Sequence, residues 1–204
     1  MDVLLPGGRD VRGTLSEPDG NPAAVVVACP PHPQHGGSRR DPRLVAVSDA
    51  LVAADIACLR FDYGSWDEGH GERADVRNAI RWARDEYDGT DSLPVGVFGY
   101  SFGASESLLA SAATPPDAVA ALAPTARLEG DLDAAAALAD LEVPVCVLYG
   151  ERDTTADWEP VVDRARDRGD ETNALAGDHF FLGKHDEIAA TVRSFFERAL
   201  LAST

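Results

Sequence analysis

The chain has 204 residues, enough for one good-sized core and short of what two independent domains usually need. Apolar residues at 45% and only 13 prolines exclude a disordered, collagen-like or low-complexity protein, and 18 basic against 35 acidic residues give a net charge of −17 that repels nucleic acid and anionic lipid. No apolar run approaches the ~18 residues that span a bilayer, and the opening MDVLLPGGRD lacks the basic start and long apolar core of a signal peptide, so a soluble, cytoplasmic protein is expected.

The first elements read as a hairpin, DVLLP and DVRGTLSE, with GG as turn material and PDGN as a second turn. AAVVVAC, residues 23–29, is a valine-rich run ended by proline, the pattern of a fully buried central strand. PPHPQHGGSRRDP is too rich in Pro and Gly to be regular. From Asp41 to Ala54, Leu44, Val47 and Leu51 recur at three- and four-residue steps, as on one face of a helix. IACLRF returns to strand character, and DYGSWDEGHGE reads as another irregular loop. Val76, Ile80, Ala83 and Tyr87 then mark a helix.

LPVGVF is a strand leading into Ser101 and a small-residue helix that Pro115 and Pro116 terminate. AVAALAP is a weak strand and VPVCVLYG a strong one, followed by a helix to about Arg168. ETNALAGDHF gives a short last strand and a loop, and Ile188, Val192, Phe195 and Leu200 define a closing amphipathic helix. Strands alternating with helices signify crossover units on a mostly parallel sheet, expected here as one α/β domain over residues 1–204. Between strands, only residues 125–142 have the length for a lid, and they suffice for one helix and little more.

Ligands of a parallel sheet bind beyond the carboxyl ends of its strands. Four post-strand loops carry polar residues able to act together: His32 to Gln34, Ser101, Asp153 and His179. Gly99 and Gly103 flank Ser101, where a Cβ would crowd a sharp strand-to-helix turn. A serine hydroxyl needs a base to attack, His179 can supply it, and Asp153 can hold the imidazole in the required tautomer. The oxyanion needs N–H donors: Phe102 N–H is one, and because Pro30, Pro31 and Pro33 donate nothing, Gln34 N–H is preferred over His32 N–H as the second.

Each piece has an ordinary alternative. G-x-S-x-G recurs by chance, His179 fits a surface loop and Asp153 a cap; the order Ser, Asp, His after successive predicted strands favours the catalytic reading. Asp157, the rival acid, is expected to cap the following helix. His32, Trp66 and Trp158 are expected to contact substrate, ordinary packing being the alternative for the tryptophans. Cys29, Cys58 and Cys146 read as buried free thiols. The spacings of His32, His35, His70, Asp62 and Asp67 match no established metal set, and phosphate-cradling motifs are absent, so no metal and no cofactor are expected.

From VVVACPPHPQHGG through LRFDYG, DEGHGE, GYSFGA and YGERD to GDHFF, the chain resembles the α/β-hydrolase superfamily. Within it, the resemblance is to small, cap-less bacterial and archaeal serine hydrolases related to the dienelactone hydrolase type. The family's nucleophile falls on Ser101, its acid on Asp153, its histidine on His179 and its second oxyanion donor on Gln34. It implies acyl transfer through a serine ester to water, on a small ester or thioester. Two departures stand out: the loop after LRF is shorter than the family's glycine-rich stretch, and Pro30 stands where related chains often have histidine. The acid-rich composition with its single lysine, Lys184, is similar to that of proteins from salt-accumulating organisms such as haloarchaea. Alternatives are a non-catalytic binding module on the same fold, or transfer to an acceptor other than water. A small molecule is the expected partner, with no nucleic acid and no membrane, for a monomer or homodimer.

Overall fold

The computed structural model describes residues 1–87 and 92–202. Its centre is an eight-stranded sheet of β1 (Asp2–Leu5), β2 (Val11–Ser16), β3 (Ala24–Cys29), β4 (Ile56–Asp62), β5 (Val95–Tyr100), β6 (Ala118–Leu122), β7 (Val145–Gly150) and β8 (Glu171–Leu175). The order across the sheet is β1-β2-β4-β3-β5-β6-β7-β8. The hairpin β1–β2 and the β2–β4 pair are antiparallel, and every other pair is parallel. The expected α/β-hydrolase architecture is the one observed, with a minimal lid.

Among the described residues, six α-helices cover it: α1 (Pro42–Val52), α2 (His70–Glu86), α3 (Phe102–Ala113), α4 (Ala134–Ala139), α5 (Glu159–Arg168) and α6 (His185–Phe196). Strand alternation decides the two faces. Ala24, Val26 and Ala28 of β3 point with Phe98 and Leu148 towards α1 and α6, where Leu44, Val47, Ile188 and Val192 meet them. Val25 and Val27 point to the other face, towards Val76 and Ile80 of α2. Further along that second face Val119 and Val147 pack on Leu108, Leu138 and Val161 of α3, α4 and α5. Each such aliphatic side chain taken from water contributes about 1.5–3 kcal/mol.

Two elements differ from the sequence reading. DEGHGE is not wholly irregular, because α2 begins at His70: Gly69 adopts φ 92°, and the Glu72 carboxylate turns back to accept its N–H at 2.9 Å. The run read as a weak strand, β6, is fully buried between β5 and β7, its alanines serving a site where the layers pack closely. The lid-length segment forms α4 and the bridge Arg127 to Asp133, and α4 packs with α3 and α5. Among the described residues, no helix is long and apolar enough to cross a membrane.

Candidate active site

Ser101 ends β5 and begins α3 with φ 55° and ψ −120°, a conformation that side-chain-bearing residues avoid and that this turn holds by force of its surroundings. Its N–H donates to Leu122 O at 2.8 Å. The flanking glycines are required sterically: a Cβ on Gly99 would lie 2.2 Å from Gly103 O, and one on Gly103 would lie 2.4 Å from Cys29 O. The chain thus lifts Ser101 Oγ out of the sheet, at the rim where β3, β7 and β8 also end.

Three side chains from three loops meet there. Ser101 Oγ is 2.9 Å from His179 Nε2, and His179 Nδ1 is 2.7 Å from Asp153 Oδ2. With Nδ1–H donating to the carboxylate, Nε2 is the acceptor facing the serine hydroxyl. The second carboxylate oxygen, Asp153 Oδ1, accepts from Thr155 N at 2.8 Å and Ala156 N at 3.1 Å, so the acid cannot swing away. Trp158 Nε1 donates to Asp153 O from behind, at 3.1 Å. The histidine loop is pinned by Tyr100 Oη, which donates to His179 O at 2.9 Å, and by fully buried Phe181. Asp178 accepts from Phe180 N at 3.0 Å and leaves the imidazole to Asp153.

Phe102, the expected first oxyanion donor, is the first residue of α3, where a backbone N–H has no intrahelical acceptor. Gln34, the expected second donor, lies in a 3-10 turn of residues 33–35, where its N–H donates to His32 Nδ1 at 3.3 Å, and it is outside the cleft lining. His32 lines the cleft next to Phe102, and its N–H has no acceptor among the described residues. Gly37 is what lets the loop close this tightly, since a Cβ there would lie 2.1 Å from Pro31 O.

The cleft encloses about 530 Å³ and opens to solvent; besides Ser101 and His179 its walls include His32, His35, Tyr100, Leu128 and Phe180. Of the expected substrate contacts, His32 lines the cleft, whereas Trp66 supports its ring from behind at 4.6 Å between centroids. Trp158 stacks on Tyr149 at 4.4 Å and is not part of the lining. Burial first, and then the neighbouring His35, push the His32 imidazole below its ordinary pKa. The same ring accepts Gln34 N–H at Nδ1. Tyr100, Leu128 and Phe180 were missed by sequence reasoning. Only their adjacency to Ser101 or His179, or to the lid-length segment, marked them.

Charge in the cleft is balanced within the protein. Arg43, the one arginine in its lining among the described residues, is bound to Asp41, while Arg39 turns away to Asp62 at 3.4 Å and Arg40 is outside the lining. Cys29, Cys58 and Cys146 are buried, with thiols pushed up to about 12, 11 and 12 mainly by burial, far from the reactive range. His70 faces Asp131 at 3.9 Å instead of the other histidines, and no group of three His, Cys, Asp or Glu among the described residues is placed to hold a metal.

No protein-family model matches the chain, and no curated protein does. Solved structures do. The chain is similar to an α/β serine hydrolase without a lid from Xanthomonas campestris, with 25% identity, a TM-score of 0.81, and coverage of 100% of this chain and 96% of that one. It is also similar to an α/β serine hydrolase homologue from Coxiella burnetii, with 22% identity, a TM-score of 0.82 and 96% of each chain covered. An esterase from Pyrococcus furiosus matches at 17% identity and a TM-score of 0.82 over 98% of this chain and 91% of that one. The last two likenesses concern the fold.

Proposed function

We propose that this chain is a serine hydrolase that cleaves a small, uncharged carboxylic ester or thioester through an acyl-serine intermediate. The observation that carries the reading is the unbroken relay from Ser101 Oγ through His179 to Asp153, on a nucleophile turn whose glycines admit no side chain. In the forward step His179 Nε2 takes the Ser101 proton as Oγ bonds to the carbonyl carbon. Asp153 stabilises the resulting imidazolium, and Phe102 N–H and His32 N–H receive the oxyanion. The imidazolium then gives its proton to the departing alkoxide or thiolate, and water, deprotonated by the same nitrogen, releases the acid.

The cleft favours neutral substrates, since Arg43 is already paired with Asp41 and the net charge of −17 opposes an incoming anion. Its lack of a covering lid favours small or extended acyl groups. Placement beside the dienelactone hydrolase type, a single domain, a cytoplasmic location, life at high salt and independence of cofactor or metal are further parts of this proposal. They rest on the motifs GYSFGA and GDHFF and on the acid-rich composition.

A fluorophosphonate probe applied at high salt should add to Ser101, as located by mass spectrometry, and Ser101→Ala should remove both the adduct and ester cleavage while preserving the circular dichroism spectrum. An unlabelled wild-type protein, or a Ser101→Ala variant of near wild-type activity, would sink the assignment. A series of p-nitrophenyl esters of increasing length then measures how much acyl chain the cleft accepts.

A further inference from the structure

We propose that Arg43 is a positioning residue for the general base: it ties the N-terminus of α1 to the loop that carries His179, and it is not a receptor for an anionic substrate. The proposal rests on the hydrolase reading and adds to it a residue remote in sequence from all three triad members.

The loop between β8 and α6 holds its outer face poorly. Phe180 and Leu182 are 57% and 80% exposed, so burial anchors it mainly through Phe181, which itself sits at φ 50°. What fixes the loop where the imidazole leaves it is a pair of polar clamps on consecutive carbonyls. Tyr100 Oη donates to His179 O at 2.9 Å, and Arg43 Nη1 donates to Phe180 O at 2.9 Å across 137 residues of sequence. The two clamps also brace one another, the Arg43 guanidinium carbon lying 4.5 Å from the centre of the Tyr100 ring.

Arg43 in turn is aimed by Asp41, the N-cap of α1. Asp41 Oδ1 accepts from Arg43 N at 2.9 Å and Nε at 2.8 Å, and Oδ2 accepts from Nη2 at 2.5 Å. With its side chain 14% exposed and that of Asp41 8%, the pair is enclosed enough to act as a fixed strut. A planar fork can hold a carboxylate on one edge and a carbonyl on the other, which an ammonium on a flexible stem cannot do in one geometry. The same facts argue against an anion-binding role: the charge is neutralised by Asp41, and Nε, Nη1 and Nη2 each already have an acceptor.

The test compares wild type, Arg43→Gln, Arg43→Lys, Tyr100→Phe and the double variant Arg43→Gln/Tyr100→Phe. Two p-nitrophenyl esters serve as substrates, one neutral and one with a terminal carboxylate, at one salt and pH. Arg43→Gln should lower kcat by about 10- to 100-fold on both esters and slow fluorophosphonate labelling of Ser101 alike, because a base displaced by about 1 Å loses that much. KM should stay within about threefold, since no substrate contact is removed. The double variant should lose less than the product of the single losses, both clamps acting on one loop. Arg43→Lys, the variant that decides if Arg43→Gln does not fold, should still lose kcat by at least about threefold. A kcat for either variant within about twofold of wild type, or a loss confined to KM on the anionic ester, overturns the proposal. Wild-type labelling with an unchanged rate in the variants removes Arg43 alone. A wild-type protein that neither labels nor turns over removes the hydrolase reading and this proposal with it.

Discussion

Asp153 and Glu106 are both shut away from water, the first with its side chain wholly covered and the second at 0% exposure, yet their surroundings are opposite. Asp153 sits in a turn that offers Thr155 N, Ala156 N and His179 Nδ1, so each oxygen has a donor. Glu106, in the second turn of α3, has no hydrogen-bond partner for either oxygen among the described residues and lies beside Glu72 and Asp75, whose own carboxylates are occupied by backbone N–H groups and Arg9. Burial, with Glu72 as the next cause, pushes the Glu106 carboxyl up to about 9. Depth alone does not decide what a carboxyl does. The donors that the surroundings present decide it: one acid has a donor on each oxygen, and the other, with neither oxygen met, keeps its proton.

The largest test of that contrast removes the charge from the partnered acid. Asp153→Asn should lower kcat on the order of 10⁴ with substrate binding largely kept, because the imidazole loses its tautomer and counter-charge. Asp157→Asn should change kcat little. Asp157 is exposed and is not the expected helix cap either: α5 has Trp158 as N-cap without a side-chain bond, so even the stability effect should fall below the ~1 kcal/mol of a lost cap. Measured on one activated ester, the reverse ranking would move the acid to Asp157.

Space around the unpartnered acid can be tested next. Gly69 has φ 92°, and a Cβ there would lie 2.6 Å from Leu132 Cδ1 and 2.9 Å from Glu106 Oε1. Gly69→Ala should therefore destabilise by about 1–3 kcal/mol in urea unfolding. A change near zero would mean that the pocket around Glu106 is looser than its contacts imply.

Glu106→Gln probes the proton itself. An unfolded glutamate titrates near 4.5, whereas the buried carboxyl keeps its proton to about 9, so between these values the native state binds the extra proton. Stability must then fall as pH rises through that window, and this contribution is flat below it. Glu106→Gln, neutral throughout, should match the wild-type melting temperature at pH 5 and exceed it by a few degrees at pH 8; equal curves at both pH values would refute the protonated reading. The smallest effect expected is that of salt. Between ~0.1 M and ~2 M, screening of exposed acids should raise the melting temperature. The advantage of Glu106→Gln at pH 8 should survive in full, because salt does not reach a buried group. A melting temperature that stays flat or falls would remove the salt-adapted reading.

The sequence by itself determined what depends on near neighbours. The valine run of β3, the three- and four-residue spacing in α1 and the glycines at 99 and 103 each express a local requirement, a buried strand, a helical face and a turn without room for a Cβ. The serine, acid and histidine were legible because each follows a strand, and parallel topology carries the ends of such strands to one rim. The tertiary structure alone decided the rest. The Gln34 N–H meets the His32 ring because residues 33–35 wind into a 3-10 turn, which the Pro- and Gly-rich run did not announce. Trp158 went behind Asp153 through its stacking on Tyr149, and Arg43 reached Phe180 only once α1 and α6 had packed on the same face of the sheet. Glu106 reads in sequence as one more polar residue of α3. Its isolation comes from the packing of Gly69, Glu72 and Leu132 around it. Periodicity and turn chemistry are written within a few residues, whereas the partner of a donor or an acid is set by chain segments far apart in sequence that meet when the layers close.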